Sequence, residues 1–268
     1  NHVAGFCPEV ELITLLGESD RREDLVRQGL LPNVRLSLTT RHQAPTIHKR
    51  RFIDDYTSAR MFEIYVMEDA PLEARDEAEL VHTLRRTMGD YDVVVVADYG
   101  HGMLTPAVVE VLCRHAKFLA VNTQANAGNR GFNTISKYPR ADYVCLAGHE
   151  IALETRMRHA EWYDLVLEVT KRIECPRFTI TQGKEGSLHY AVGSGFTEVP
   201  ALATKVEDRV GAGDAFLGVT SLLVAQNTPW DVVGFIGNLA GAQMVAELGN
   251  RVTVSKSSIT KHVISLMK

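Results

Sequence analysis

Asp208-Arg209-Val210-Gly211-Ala212-Gly213-Asp214-Ala215-Phe216 is the stretch on which the reading of the whole chain turns. Gly211 and Gly213 carry no Cβ, so the backbone there can turn tightly and lie close to a ligand. The run from Ala215 to Ala225 is apolar, rich in small residues and free of proline, and it predicts a buried helix. A glycine turn at a helix start aims unpaired N–H groups and the positive end of the dipole at whatever lies before it. Such a cradle suits negative charge that develops during a reaction. Asp214 stands out in it, because a carboxylate repels phosphate and so needs a task beyond binding. Two tasks are open on these residues alone. Asp214 takes the proton from an attacking hydroxyl, or it caps the helix, which aspartate does well.

The totals bound the setting. A chain of 268 residues buries a large core, and one α/β domain spanning 1–268 is the expected organisation. A net charge of −4 offers no basic field to nucleic acid. No apolar run approaches bilayer length and no signal peptide opens the chain, so a cytoplasmic, membrane-free protein is expected. Cys7, Cys113, Cys145 and Cys175 lie far apart, as buried small residues do in a reducing compartment, with neither disulfide nor zinc spacing.

Working outward, Val10 to Gly17 is apolar on both faces and predicts a strand inside a parallel sheet. Asp20 to Leu30 predicts an amphipathic helix. Val34 to Thr40, Thr46 to Asp54 and Ala59 to Met67 alternate polar and apolar residues, the pattern of half-exposed antiparallel strands. Lys49 and Arg51 share one face of the second of these, so both can reach one phosphate, or both are solvated edge charges. Asp92 to Asp98 predicts a buried strand whose last carboxylate sits where α/β sheets bind ligands. Asp98 is therefore a candidate for gripping substrate, or a loop carboxylate. Thr105-Pro106 marks the start of the next helix. Phe118 to Asn122 is another strand, and Thr123 to Asn133 after it is dense in amides and glycine. A loop of that length and polarity is a candidate sugar-hydroxyl pocket, with Asn122 at its entry and Arg130 as its phosphate candidate. Tyr143 to Leu146 is a further buried strand, and Trp162 to Ile173 and Pro229 to Leu248 predict helices.

Taken together, these motifs resemble the ribokinase-like (PfkB) carbohydrate kinases, whose C-terminal signature usually reads Asp-Thr-Val-Gly-Ala-Gly-Asp-Ala-Phe. The resemblance implies a three-layer α/β/α sandwich with a small β-sheet lid formed by the strands between about 34 and 67. It implies Asp214 as catalytic base and Gly211, Ala212 and Gly213 as the anion hole. Thr181, Gly183 and Gly186, in Thr181-Gln182-Gly183-Lys184-Glu185-Gly186, match the family's Thr-x-Gly-x-x-Gly nucleotide wall. Arg209, where the family has threonine, falls on the same nucleotide side, and Asn238 matches the helix that lies against the adenine. Glu150 matches the acid of Asn-x-x-Glu, which orders magnesium through water, although Ala147 replaces the asparagine. Asn1 matches an asparagine that follows a Gly-Gly turn; that turn and the strand before it do not appear in this sequence.

Two further motifs are similar to the bacterial heptose-7-phosphate kinases, which often carry a fused nucleotidyltransferase. Pro45-Thr46-Ile47-His48-Lys49-Arg50-Arg51 is like their Thr-x-Lys-x-Arg lid strand. Asp98-Tyr99-Gly100-His101-Gly102-Met103-Leu104-Thr105 is like their Asp-Tyr-x-Lys-Gly-x-Leu-Thr, with His101 for lysine and thus a charge that depends on pH. The resemblance implies ATP and Mg²⁺ as cofactors and a sugar or sugar phosphate as substrate. The alternating strands between Val34 and Met67 predict a sheet with one apolar face, and hence a homodimer joined through the lids. A different sugar or nucleoside kinase is the neighbouring reading. Arg209, Ala147 and His101 also admit a non-catalytic relative that binds nucleotide or sugar as a regulator or assembly partner.

Overall fold

Tyr143, Val144, Cys145 and Leu146 point alternately into two separate cores, and that alternation sets the architecture. Val144 and Leu146 enter one apolar cluster; Tyr143 and Cys145 enter another on the opposite side. A strand that is apolar on both faces has to be covered twice. The computed structural model describes residues 1–54, 56, 60–249 and 251–268. Its chain begins with β1 (Val10–Ser19), α1 (Glu23–Gly29), β2 (Val34–Pro45), β3 (His48–Ile53) and β4 (Arg60–Val66). It continues through α2 (Ala74–Thr87), β5 (Val94–Asp98), α3 (Pro106–His115), β6 (Leu119–Thr123) and β7 (Tyr143–Ala147). Then come α4 (Gly148–Thr155), α5 (Trp162–Thr170), β8 (Arg177–Thr181), β9 (Ser187–Ala191) and β10 (Gly195–Val199). The last three elements are α6 (Ala212–Ala225), α7 (Trp230–Val245) and α8 (Lys256–Leu266).

The main sheet runs in the order β10-β9-β8-β7-β6-β5, with β5 to β8 parallel and β9 and β10 antiparallel at the far edge. Side chains of α2, α3, α4 and α5 build the core on one face. Those of α6 and α7 build it on the other, with α8 closing against α7. This is the three-layer α/β/α sandwich expected of a ribokinase-like fold. Thr105 caps α3 as its sequence indicates: its hydroxyl accepts from the Val108 amide at 3.4 Å, and Pro106 occupies the first turn.

The lid region differs from the expectation in one respect. Val34 to Thr40 is not an antiparallel lid strand: β2 pairs parallel with β1, from Val10↔Val34 to Gly17↔Arg41. The helix α1 lies between them and supplies the crossover that a parallel pair requires. The polar–apolar alternation of β2 reflects one exposed face, which a parallel strand can also have. By the same geometry β1 is half-buried instead of fully interior, with Ile13 and Leu15 against the main core. Helix α1 starts only at Glu23, because Asp20 and Arg22 adopt positive φ of 48° and 50°. Helix α8 has no counterpart in the expected elements, although its Ser255–Ser258 capping pair was available to find it.

The lid is the antiparallel pair β3–β4, registered His48↔Val66 through Phe52↔Phe62. Ala59, the expected start of the second strand, lies outside the described residues. Alternation gives this ribbon two unlike faces. One carries Lys49, Arg51, Glu63 and Tyr65. The other carries Phe52, Phe62, Ile64 and Val66 together with His48 and Arg50; Phe62 is 51% exposed and stacks on Phe52 at 4.4 Å between ring centroids.

Candidate active site

Gly211 is the N-cap of α6 and takes φ +79°, a left-handed conformation that glycine adopts without penalty. The chain before it is anchored. Asp208 accepts from the Val210 and Gly249 amides, both at 3.1 Å, and the Glu207 amide donates to Val245 O at 2.7 Å. No side chain caps α6. Asp214 instead turns its carboxylate sideways: Oδ1 accepts from the Tyr99 hydroxyl at 3.0 Å and from Gln124 Nε2 at 3.2 Å. Between the two tasks the sequence left open, the capping one has no hydrogen bond behind it. Burial pushes the Asp214 carboxyl above the usual carboxylate range, while the Tyr99 hydrogen bond and the Lys49 charge pull it back.

Tyr99 and Gln124 follow the C-terminal ends of β5 and β6, where parallel sheets present their ligands. Neither was marked by the sequence, where charged residues stand out; their position immediately past buried strands was the available signal. Lys49 comes down from the lid, with Nζ 5.0 Å from the Tyr65 ring centroid and 5.7 Å from that of Tyr99. Burial, and then the Arg51 charge, lower its pKa; Glu63 and Asp214 oppose this. Arg51 itself pairs with Glu63 across the ribbon. His101 stacks over Tyr99, and its Nε2 is buried without a protein hydrogen-bond partner among the described residues. Its pKa lies below the ordinary histidine value, through burial first and the Lys49 charge second; the weaker influences of Asp69 and then Asp98 act the other way.

Glu150 stands in the first turn of α4 with both oxygens held. Oε2 accepts from the Ala147 amide at 2.7 Å and Oε1 from the Ala125 amide at 3.2 Å. Asn122 lies beneath it, donating to Cys145 O at 2.8 Å and more distantly, at 3.5 Å, to Glu150 Oε2. Asn122 thus supports Glu150 and does not open into the polar loop as the sequence suggested. Burial raises the Glu150 carboxyl to about 7, with a smaller push from the charge of Asp214. Among the described residues no group of three or more His, Cys, Asp or Glu side chains gathers as a metal cage.

Several candidate residues are spoken for elsewhere. Asp98 is 1% exposed; Oδ1 accepts from the Gly100 amide at 2.9 Å, and Oδ2 takes the Tyr138 hydroxyl at 2.7 Å and Lys137 at 2.5 Å. It anchors the loop instead of facing a cleft. The amides of the 123–133 loop do similar work. Asn126 and Asn129 donate to Tyr99 O at 2.9 and 2.8 Å, and Asn133 to Asp98 O at 2.8 Å. They clamp the backbone that carries Tyr99. Arg130 is exposed, and its charge helps lower the His149 pKa, second to burial. Asn1 is occupied at the end of α1, donating to Gly29 O at 2.6 Å and accepting from the Leu31 amide at 3.0 Å.

On the nucleotide side, Thr181 ends β8 opposite Ser187, Gly183 takes φ +62° in an open turn, and Arg209 is exposed beside Gly211. Gly186 has a packing reason: at φ +104° a Cβ would lie 2.1 Å from Val199 O. Asn238 Nδ2 donates to Pro200 O at 2.9 Å and Val199 O at 3.1 Å, so it ties α7 to the β9–β10 hairpin. The open space lies further along that helix. A cavity of about 440 Å³ is bounded by Leu202 and Lys205, by Gln243 and Ala246 of α7, and by Val254 and His262.

A three-layer α/β/α body with a β-ribbon lid is the architecture of the ribokinase-like class. Residues 58–256 match the pfkB family carbohydrate kinase description, and the chain belongs to that family. It is similar to the bifunctional protein HldE of Bradyrhizobium diazoefficiens, at 24% identity over 98% of this chain and 53% of the relative. The HldE of Citrifermentans bemidjiense is 27% identical over 72% of this chain and 39% of its own length. The chain therefore spans about half the length, or less, of these curated relatives. Among solved structures, Escherichia coli phosphofructokinase-2 in complex with potassium superposes with a TM-score of 0.81 at 16% identity, covering 100% of this chain and 85% of that one. Ribokinase from Thermotoga maritima does so with 0.73 at 16% identity, over 95% and 81%.

Proposed function

We propose that the protein transfers the γ-phosphoryl group of ATP to a hydroxyl of a sugar or sugar phosphate, with Asp214 as general base. One observation carries this reading: Asp214 lies over the Gly211 turn at the uncapped start of α6, yet its carboxylate is oriented by Tyr99 and Gln124. In the reaction the acceptor hydroxyl gives its proton to Asp214 as its oxygen bonds to the γ-phosphorus. The bond from that phosphorus to the β–γ bridging oxygen breaks, and ADP leaves. The amides of Gly211, Ala212 and Gly213 meet the charge that spreads over the phosphoryl oxygens.

The cavity beside α7 combines apolar walls from Leu202, Ala246 and Val254 with polar groups from Gln243 and Ser258, a lining that suits a nucleotide base. The 202–210 segment leads from it to the α6 turn, along which the phosphates would run. Glu150 fits a magnesium site of the water-mediated kind. It is a hard oxygen donor, already fixed by two amides, and Mg²⁺ keeps several waters and takes few protein ligands. The ion would supply charge neutralisation between the phosphates. Lys49, with His101 beside it, faces the lid side of Asp214 and would hold an anionic sugar. Likeness of the lid and Asp98–Thr105 motifs to heptose-phosphate kinases, together with the HldE relatives, favours a heptose phosphate. The exposed Phe62, Ile64 and Val66 on the outer face of β3–β4 favour a dimer joined lid to lid.

The test is ADP release by the full chain with Mg²⁺ and ATP against a panel of six- and seven-carbon sugar phosphates. Turnover of one of them, lost in Asp214→Asn, supports the reading. No turnover across the panel, with ATP still bound, would instead point to the non-catalytic relative.

A further inference from the structure

We propose that Tyr99 is a positioning residue that ties the lid to Asp214: its ring carries Lys49 of the lid, and its hydroxyl holds the Asp214 carboxylate. The inference rests on Asp214 being the base and adds how that base is kept in register. Three observations meet at Tyr99. Its hydroxyl and the Gln124 amide both donate to Oδ1 of Asp214, at 3.0 and 3.2 Å, which leaves Oδ2 to receive a proton. Its ring is one side of the slot that receives Lys49 Nζ, with the lid's own Tyr65 on the other side, at 5.7 and 5.0 Å. Its carbonyl is gripped twice, by Asn126 and Asn129 at 2.9 and 2.8 Å, so the backbone beneath the ring does not drift.

The chemistry of the partners fits the task. Tyr99 is pushed well above the usual tyrosine range, by burial first and by Asp214 second, so it keeps its proton and remains a donor. A buried donor fixed on one carboxylate oxygen both orients the group and favours its ionised form. The groups facing Asp214 come from four elements. Lys49 of β3 favours its ionised form, Glu150 of α4 is a like charge, and the neutral Tyr99 and Gln124 donate from the loops after β5 and β6. Lys49 is the one of these that moves with the lid. With the lid seated, its ammonium lies over the Tyr99 ring and within electrostatic reach of Asp214. With the lid displaced, Asp214 loses that cation and Tyr99 loses its covering. Seating of the lid thus adds the Lys49 charge, which favours the ionised form of the base, to the hold that Tyr99 and Gln124 already exert on it.

Two measurements on the full chain test this. In the ligand-free protein labelled with ¹³C at tyrosine Cζ, the Tyr99 resonance is identified by its loss in Tyr99→Phe. It is expected to shift in Asp214→Asn and again in Lys49→Met; a resonance unmoved by either substitution overturns the link. With Mg²⁺, ATP and a heptose 7-phosphate as probe, Tyr99→Phe is expected to lower kcat roughly tenfold or more, leaving KM for ATP within about twofold. Lys49→Met should lower kcat in the wild-type background but far less in the Tyr99→Phe background. Equal factors in both backgrounds would show that lid and base act independently and would overturn the proposal. Failure of the base reading looks different: Asp214→Asn would then keep its turnover, whatever the tyrosine resonance does.

Discussion

Tyr138 donates its hydroxyl to Asp98 Oδ2 at 2.7 Å at the C-terminal end of β5. Both are among the most buried residues of the chain, and Lys137 completes the cluster at 2.5 Å. Removing Asp98 leaves the buried Tyr138 hydroxyl and the Gly100 amide without their acceptor and takes the carboxylate from Lys137, which keeps only Asn133 Oδ1 at 2.7 Å. Asp98→Ala is therefore expected to cost stability on the order of 3 kcal/mol. In a chain of this size that corresponds to a fall in Tm of roughly 5–10 °C, read by calorimetry. A variant that melts like the wild type while losing only sugar affinity would return Asp98 to the substrate.

Asp214→Asn is expected to behave in the opposite way. The amide keeps an acceptor oxygen for Tyr99 and Gln124 but cannot take a proton, so turnover should fall by about 10²–10⁴. Folding should not suffer. Since burial raises the carboxyl of Asp214, its ionised form is a cost to the native state at neutral pH, and the neutral amide removes that cost. An unchanged or higher Tm with lost ADP release is the expected pair of results. A Tm lower by several degrees would mean that Asp214 holds the helix start after all.

The glycine signature was legible in the sequence because each of its parts has a local cause: a turn requiring positive φ, a helix start, and a carboxylate out of place beside anions. The strands of the main sheet were legible because their apolar runs are short, continuous and rich in β-branched residues, as at residues 93–96, which suits a strand covered on both faces. What failed to show is what depends on partners far along the chain. Asp98 and Asn122 end strands where ligands gather, yet Tyr138 and Lys137 claim the first and Cys145 O claims the second. Alternation could not distinguish the parallel β2 from an antiparallel lid strand, since it records exposure and not direction. Tyr99 and Gln124 carry no formal charge, and nothing local marks them as neighbours of Asp214, 115 and 90 residues away.

The lid's outer face leads to a prediction about assembly. Phe62, Ile64 and Val66 are 46–51% exposed on one side of a two-stranded ribbon, and Phe52 stacks on Phe62 beside them. Exposed apolar surface gathered in this way marks an interface. Phe62→Glu places a charge at its centre without touching Lys49, Arg51 or Tyr65 on the inner face. Sedimentation of the wild type at micromolar concentration should show a dimer, and of Phe62→Glu a monomer with its fold intact by circular dichroism. A wild-type monomer, or a variant still dimeric, would remove the lid from the interface.

His189 gives the chain a pH dependence that has nothing to do with catalysis. It is fully buried in β9, with Nδ1 2.8 Å from Thr179 Oγ1 and Nε2 2.9 Å from Ser187 Oγ. Its ring stacks on Trp230 at 5.4 Å, and burial pushes its pKa down from 6.5 to about 4. An unfolded chain protonates this histidine as pH falls through 6.5; the folded one stays neutral until about 4. The unfolded state thus binds more protons across that window, so stability is greatest above it and falls as the pH is lowered through it. The full difference is about 3 kcal/mol, of which about 2 kcal/mol is lost by pH 5. His189→Gln, which keeps hydrogen-bonding capacity but does not titrate, should be the less stable protein at pH 7.5. Between pH 7.5 and pH 5 it should lose about 2 kcal/mol less than the wild type, as read from urea unfolding at each pH. Stability curves that run parallel for the two proteins over that range would show that His189 is not the titrating group.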